Sequence, residues 1–149
     1  MSHLTRLLPL VVVVVIASGC APSDEPDALR QGRSTYGEVC SICHGARGEG
    51  SVGPSLENVA DTWPLCSDQV EWIALGSEGW RSQHGETYGA PNIPVAGGMP
   101  GHGDRLTLEE IRRVAAFERV DYGGIDSETA LAQCEVAPID VVSLDQEGR

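Results

Sequence analysis

One run of residues in the chain has the types and spacing of a covalent cofactor site. Cys40 and Cys43 are separated by two residues, and His44 follows directly. A Cys-x-x-Cys-His run is typical of c-type haem attachment, in which both thiols add to haem vinyl groups and the histidine binds the iron. Residues three apart on a helical turn face the same way, so both thiols can reach one edge of the macrocycle. The run occurs once, which predicts one haem c.

Two other interpretations of the paired cysteines find less support in the surrounding sequence. A thioredoxin-like redox pair requires a βαβ setting, and the segments around Cys40 and Cys43 do not indicate one. A structural zinc site usually has a second pair of ligands at short spacing, and no such pair is evident. We therefore favour haem attachment.

The first 19 residues have the pattern of a secretory signal peptide. Arg6 precedes an apolar run from Leu7 to Ala17, which is shorter than the ~20 residues that a membrane-spanning helix needs. The run ends in Ala17-Ser18-Gly19-Cys20, which resembles the lipobox of bacterial lipoproteins and predicts a lipid on Cys20. The alternative is an ordinary secretory signal. Both interpretations predict an exported protein, and the first places it on the outer, periplasmic or extracytoplasmic face of a bacterial membrane.

Composition limits the classes of partner. The formal net charge of the 149 residues is −12, and the basic residues are all arginines. Nucleic acids and anionic lipid headgroups both favour basic patches, so neither is expected as a partner. The length corresponds to about one domain.

Helical periodicity appears on both sides of the cysteine run. Leu29, Gly32, Tyr36, Val39 and Cys40 recur at steps of three and four residues, which predicts a helix with one apolar face leading into the run.

A later helix is marked more strongly. Thr107 and Glu110 form a capping box, and Gly123-Gly124 should end the helix. Its apolar stripe consists of Leu108, Ile111, Val114 and Phe117.

Between these helices the pattern is weaker. Ser67 is a candidate N-cap for a shorter helix that Gly76 would close. The stretch from Ser77 to Gly98 is rich in glycine and polar residues, which predicts a long loop along one side of the haem.

Residues 28–122 together resemble a class I cytochrome c. The resemblance implies an all-α fold whose helices pack around one covalently bound haem. It rests on Gly32, Tyr36, Cys40, Cys43, His44, Gly53-Pro54-Ser55-Leu56, Gly98-Met99-Pro100-Gly101 and Leu106-Thr107-Leu108-Glu109-Glu110-Ile111.

The resemblance also implies an iron site. Met99 matches the distal-methionine loop of the family, and it is the only methionine apart from the initiator. His84 and His102 are the alternative ligands opposite His44. Pro54 matches the position whose carbonyl accepts the ring N–H of the iron-binding histidine.

Three further assignments concern packing and the haem propionates. In the family the first and last helices cross where a glycine admits an aromatic ring, and Gly32 with Tyr36 and Phe117 fits that arrangement. Trp80 and Arg81 are candidate donors to the propionates, although a packed tryptophan and an exposed arginine are equally natural.

Two cysteines remain after haem attachment and lipidation. An exported protein most simply joins Cys66 and Cys134 in a disulfide, which would tie the segment after Gly124 back to the haem domain. The expected organisation is therefore an acidic linker at 20–27, a cytochrome domain at 28–122 and a C-terminal extension at 123–149.

A histidine and a methionine on the iron leave no position open for a substrate. The sequence therefore predicts a single-electron carrier that is not an enzyme and has no small-molecule substrate. Its partners would be redox proteins with a basic docking surface, and a lipid anchor would hold it to the membrane. The alternative is the cytochrome subunit of an oxidase or dehydrogenase complex. A haem enzyme or gas sensor with an open iron site has less support.

Overall fold

The computed structural model describes residues 25–136. The proposed signal peptide, Cys20 and most of the acidic linker lie outside these residues, as does the end of the tail from residue 137. The elements follow the order α1 (Asp27–Thr35), a π-helical turn (Tyr36–Cys40), α2 (Ser41–His44), α3 (Val59–Thr62), α4 (Cys66–His84), β1 (Thr87–Tyr88), β2 (Ile93–Pro94), α5 (Leu108–Asp121) and α6 (Ser127–Gln133).

The expected crossing of the first and late helices is present. Gly32 on α1 lies against α5, where a Cβ on Gly32 would come within 2.9 Å of Phe117 Cβ and 2.7 Å of the Arg113 carbonyl carbon. Only glycine permits so close an approach of the two backbones. The ring of Tyr36 packs beside that of Phe117 with centroids 5.5 Å apart, so this part of the sequence prediction is confirmed.

Helix α5 begins at the predicted capping box. Thr107 Oγ1 accepts a hydrogen bond from the Glu110 N–H at 3.2 Å, and Glu110 Oε2 accepts one from the Thr107 N–H at 2.7 Å. Ile111 and Phe117 are buried as predicted, but Leu108 is 54% exposed. Leu108 is the first residue of α5, and its side chain lies largely in solvent at the end of the helix. Its assignment to the apolar stripe that faces the core was therefore wrong.

Helix α4 is longer than its sequence pattern indicates. It begins at Cys66 after Leu65, and the Ser67 hydroxyl bonds to Asp68 instead of capping the helix. Gly76 does not end the helix but kinks it at φ 66° and ψ −176°, and helical turns continue to His84. A positive φ is accessible to glycine at little cost, which explains the residue at the kink.

The predicted long loop from Ser77 to Gly98 is therefore wrong in two places. Its first eight residues belong to α4, and a short antiparallel hairpin follows, with Thr87 opposite Pro94 and Tyr88 opposite Ile93. The fold remains helical apart from this hairpin.

The chain after α5 packs back onto the domain through α6. Asp126 caps α6 by accepting the Thr129 N–H at 3.0 Å. Cys66 and Cys134 are joined by a disulfide with a Cα–Cα distance of 5.1 Å, which is the pair expected from the sequence. The sequence did not indicate α6 itself.

Buried side chains form two groups on either side of α4. One lies between α1, α4 and α5, and the other gathers Val59, Trp63, Trp80 and Val95 beneath the hairpin. Across residues 25–136, no helix combines the length and apolar character that crossing a membrane requires.

Candidate functional site

The Cys-x-x-Cys-His run sits where the first helical segment changes its winding. Tyr36–Cys40 is π-helical, and Ser41–His44 returns to an α-helical turn. Gly45 ends this turn with φ 83°. A π turn adds a residue to the helical repeat and occurs frequently at functional sites. The sequence predicts the helix but carries no signal for this change of winding.

The ring of His44 is held in one orientation. Its Nδ1 lies 2.8 Å from the carbonyl oxygen of Pro54, so a protonated Nδ1 donates to that oxygen and Nε2 is left with its lone pair for a metal. A Cβ on Gly53 would lie 3.1 Å from His44 Cε1, so the loop presses against the ring. The Gly53 N–H also donates to the Cys43 carbonyl at 2.8 Å.

The two thiols of the run stand beside this histidine. Neither Cys40 nor Cys43 forms a disulfide, and Cys40 is buried. Burial raises the pKa of the Cys40 thiol above its ordinary value. Within residues 25–136, no group of three His, Cys, Asp or Glu side chains is arranged to hold a bare metal ion.

These residues line a cavity of about 290 Å³, close to the lower end of the ~300–1,000 Å³ usual for ligand sites. Cys40, Cys43 and His44 belong to one wall, and Met99 comes from the loop before α5. Aromatic and aliphatic side chains of α4, the hairpin and the end of α3 complete the lining, among them Trp63 directly after α3, Trp72, Ile73, Tyr88 and Ile93.

The Met99 loop is fastened to the kink of α4. The Ser77 N–H donates to the Met99 carbonyl at 2.9 Å, and the Met99 N–H donates to Ser77 Oγ at 3.1 Å. The His102 N–H donates to the Ile73 carbonyl at 3.0 Å. These bonds use backbone groups that the kink at Gly76 frees from the helix, so the kink and the methionine loop are one structural unit.

The two alternative histidines differ in position. His84 stacks on Trp80 with ring centroids 4.0 Å apart and bonds to Glu71, outside the cavity lining. His102 lines the cavity, is 6% exposed, and has no hydrogen-bond partner at Nδ1. Burial lowers the pKa of His102, with smaller effects of Arg105 and His44.

Trp80 and Arg81 are not among the residues that line the cavity. Trp80 Nε1 donates to the Thr87 carbonyl at 3.0 Å, and Arg81 donates to the Val95 carbonyl at 2.8 Å and to Glu86. Both side chains therefore bind to residues at the hairpin, and their role as propionate donors stays a prediction.

Three buried polar residues of the lining were not singled out from the sequence: Gln69, Ser77 and Glu118. Glu118 could have been found, because it lies seven residues after Ile111 and four after Val114 and so continues the apolar face of α5. A carboxylate at such a position is rarely buried without a reason.

The donor set and the cavity fit a covalently bound haem. Two unoxidised thiols are three residues apart, and the free Nε2 of His44 belongs to the same wall. The buried Nδ1 of His102 has no hydrogen-bond partner, so the lining contains a polar atom that a bound group could contact. The helical fold around such a site is that of a class I cytochrome c.

The comparison with protein families agrees. The family model described as cytochrome c oxidase, cbb3-type, subunit III matches residues 27–117, and the chain belongs to this family. It therefore belongs to the cytochromes c, which bind their haem covalently.

Individual relatives have related names. Cytochrome c-L of Methylorubrum extorquens is 31% identical over 101 residues, which cover 68% of this chain and 44% of that protein. The cbb3-type oxidase subunit CcoP of Azospirillum sp. (strain B510) is 33% identical over 93 residues, 60% of this chain and 29% of that subunit. The chain thus spans less than half of the length of these curated relatives.

Among solved structures, cytochrome cL of Hyphomicrobium denitrificans aligns with a TM-score of 0.44 and 26% identity, covering 79% of this chain and 64% of that one. Cytochrome cL of Methylophaga aminisulfidivorans aligns with a TM-score of 0.46 and 22% identity, covering 77% and 72%.

Proposed function

We propose that the protein is a single-electron carrier with one haem c, attached through Cys40 and Cys43 and bound at the iron by His44 and Met99. The supporting observation is that these four residues line one cavity. When bound, the haem supplies reversible one-electron chemistry. The residues of the chain orient it and exclude water.

The arrangement favours transfer over catalysis. Pro54 orients His44 through the 2.8 Å contact at Nδ1, and Ser77 holds the backbone of Met99. Two protein ligands leave the iron no position for oxygen, peroxide or another small molecule. We infer that the protein is not an enzyme and has no small-molecule substrate.

We infer that the protein works outside the cytoplasm, held to the membrane by a lipid on Cys20 after removal of residues 1–19. The net charge of −12 suits a redox partner with a basic docking surface, because opposite charges speed the encounter. Electron exchange with such a partner should slow as salt is added. Rates that do not respond to salt would contradict the basic partner.

A second candidate is a permanent cytochrome subunit of an oxidase or dehydrogenase complex. The similarity to CcoP favours it. A free carrier should purify alone and exchange electrons at a rate that depends on partner concentration. Copurification with a catalytic subunit under mild conditions would instead favour the complex.

The iron ligands can be tested by visible absorption of the purified oxidised and reduced protein. We expect low-spin spectra and, in the oxidised form, the weak long-wavelength charge-transfer band of an iron–thioether bond. Met99→Ala should remove this band, whereas His102→Ala, in the same cavity lining, should retain it.

Two results would contradict the proposal. High-spin iron that binds carbon monoxide readily would indicate an open site and favour an enzyme or gas sensor. Loss of low-spin character in His102→Ala with its retention in Met99→Ala would make His102 the ligand.

A further inference from the structure

A carboxylic acid lies in the lining of the haem cavity. Glu118 on α5 is 5% exposed and contributes to the cavity together with Cys40, Cys43 and His44. Its Oε2 accepts one hydrogen bond, from Gln69 Nε2 at 2.9 Å. Within residues 25–136 no arginine or histidine forms an ion pair with it, so its charge when ionised is not neutralised directly.

The partner of this carboxyl is itself fixed. Gln69 is 1% exposed, and its Oε1 accepts a hydrogen bond from Arg119 Nη1 at 3.3 Å. Arg119 also donates to the Trp63 carbonyl at 2.7 Å and to Gln133. A half-turn of the Gln69 amide, which would exchange its oxygen and nitrogen, would therefore break the hydrogen bond from Arg119. The NH₂ group of Gln69 stays directed at Glu118.

The other titratable groups around Glu118 come from several elements. Tyr36 and Cys40 interact with its charge from the first helical segment, as does Tyr122 just after α5. Arg119 acts through Gln69. The imidazoles of His44 and His102 also line the cavity.

Burial raises the pKa of Glu118 to about 8, and only the bond from Gln69 opposes it. The carboxyl can therefore exchange a proton in the neutral range, unlike an ordinary surface glutamate. Because Glu118 lines the cavity, a change of charge inside the cavity should shift the pKa of its carboxyl.

We propose that Glu118 is a proton-binding site coupled to the electron on the haem. The inference rests on the proposed function, because it needs a redox-active haem in this cavity. When a redox partner donates one electron to the bound haem, the Glu118 carboxylate takes up a proton from solvent in a fraction of the molecules, and this fraction is largest near the carboxyl pKa. Oxidation returns the electron to a partner and that proton to solvent.

The physical reason is electrostatic. Oxidised haem carries one more positive charge than reduced haem, so oxidation favours the ionised carboxylate and reduction the neutral acid. A unit charge ~10 Å from a carboxylate, at an effective dielectric constant of ~20, changes the carboxyl pKa by about one unit. The redox equilibrium should thus shift up to about tenfold across the titration, or ~59 mV for one electron.

The first test measures the reduction potential against pH in the full haem protein and in two variants. Wild type should show a potential that falls with pH around the titration of Glu118. Glu118→Gln keeps the size and an amide oxygen for Gln69 but cannot ionise, and it should flatten this fall. Glu57→Gln, which removes an exposed carboxylate, should behave as wild type. An unchanged pH dependence in Glu118→Gln would overturn the proposal and assign the titration to another group.

A second measurement keeps the test valid if Glu118→Gln folds poorly. Infrared redox difference spectra of wild type should contain the C=O stretch of a carboxylic acid that gains its proton on reduction, and an indicator dye should record proton uptake. Their absence at every pH from about 6 to about 9, a range that includes the Glu118 pKa of about 8, would overturn the proposal. Visible spectra separate the two ideas: high-spin wild type contradicts the proposed function, whereas low-spin wild type with a pH-independent potential contradicts this inference alone.

Discussion

At the scale of residues, the proposed iron ligands are held by neutral backbone and hydroxyl groups. The His44 ring meets the Pro54 carbonyl, and Met99 exchanges two hydrogen bonds with Ser77. None of these partners titrates near neutral pH. Glu118 also lines the cavity but takes part in none of these hydrogen bonds, so proton exchange at its carboxyl need not disturb the ligands.

Ser77→Ala should weaken the attachment of Met99. The Met99 N–H would lose its acceptor in a partly buried position, which costs at most ~1–3 kcal/mol. We expect the iron–thioether band to disappear at a lower temperature than in wild type, as followed by absorption during heating. Ser82→Ala is the matched control, because Ser82 is exposed on the same helix and bonds only within it. Equal melting of the band in both variants would contradict this role.

Glu118 should also make stability depend on pH. Its pKa is about 8 in the folded chain against an ordinary 4.5, so the folded state binds more protons between these values. The free energy of unfolding should therefore fall as pH rises from about 4.5 to 8. Denaturant titrations should show a smaller fall in Glu118→Gln. An equal fall in both proteins would assign it to other groups.

At the scale of elements, sequence prediction succeeded where the cause is local. The α5 capping box involves residues three apart and was predicted from them alone. The Gly32–Phe117 crossing joins residues that are distant in the sequence, and it was expected only from the resemblance to class I cytochromes c. The prediction for α4 failed because the kink in this helix depends on residues that are distant in the sequence. Gly76 accommodates Pro100 and Gly101, which lie in another loop, and a lone glycine resembles a helix end. The π turn and the roles of Trp80 and Arg81 depend likewise on contacts that spacing does not encode.

Gly76→Ala tests the unit formed by the kink and the methionine loop. A side chain at φ 66° is strained by ~1–3 kcal/mol, and its Cβ would lie 2.5 Å from the Pro100 carbonyl carbon. We expect a loss of unfolding free energy together with a weaker iron–thioether band. Gly37→Ala is the control, since nothing lies within 4 Å of a Cβ there. A stable Gly76→Ala protein with a normal band would show that the kink is dispensable.

At the scale of the whole molecule, the disulfide and the Arg119 contacts join α4, α5 and α6. Cys66 starts α4 and Cys134 follows α6, while Arg119 reaches from α5 to Gln133. The C-terminal extension is therefore, through residue 136, part of the packed domain. This packing also fixes Gln69 and, through it, Glu118.

Replacing both Cys66 and Cys134 by serine should destabilise the domain without changing the haem spectrum. The bond closes a loop with a sequence separation of 68, for which the chain-entropy model gives about 4 kcal/mol. Denaturant unfolding of the haem protein would measure this loss. Equal unfolding free energies in wild type and the double variant would contradict a stabilising role.

The two pairs of cysteines need opposite redox states while the protein is made. Cys40 and Cys43 precede Cys66 and Cys134 in the chain, so an oxidant acting on the emerging chain meets the pair proposed to bind haem first. Thiols can add to vinyl groups only while they are reduced, whereas the later pair is needed oxidised. A cell that assembles this protein must therefore supply both an oxidant and a reductant of thiols. Loss of the reductant should prevent haem attachment, and loss of the oxidant should prevent the Cys66–Cys134 disulfide.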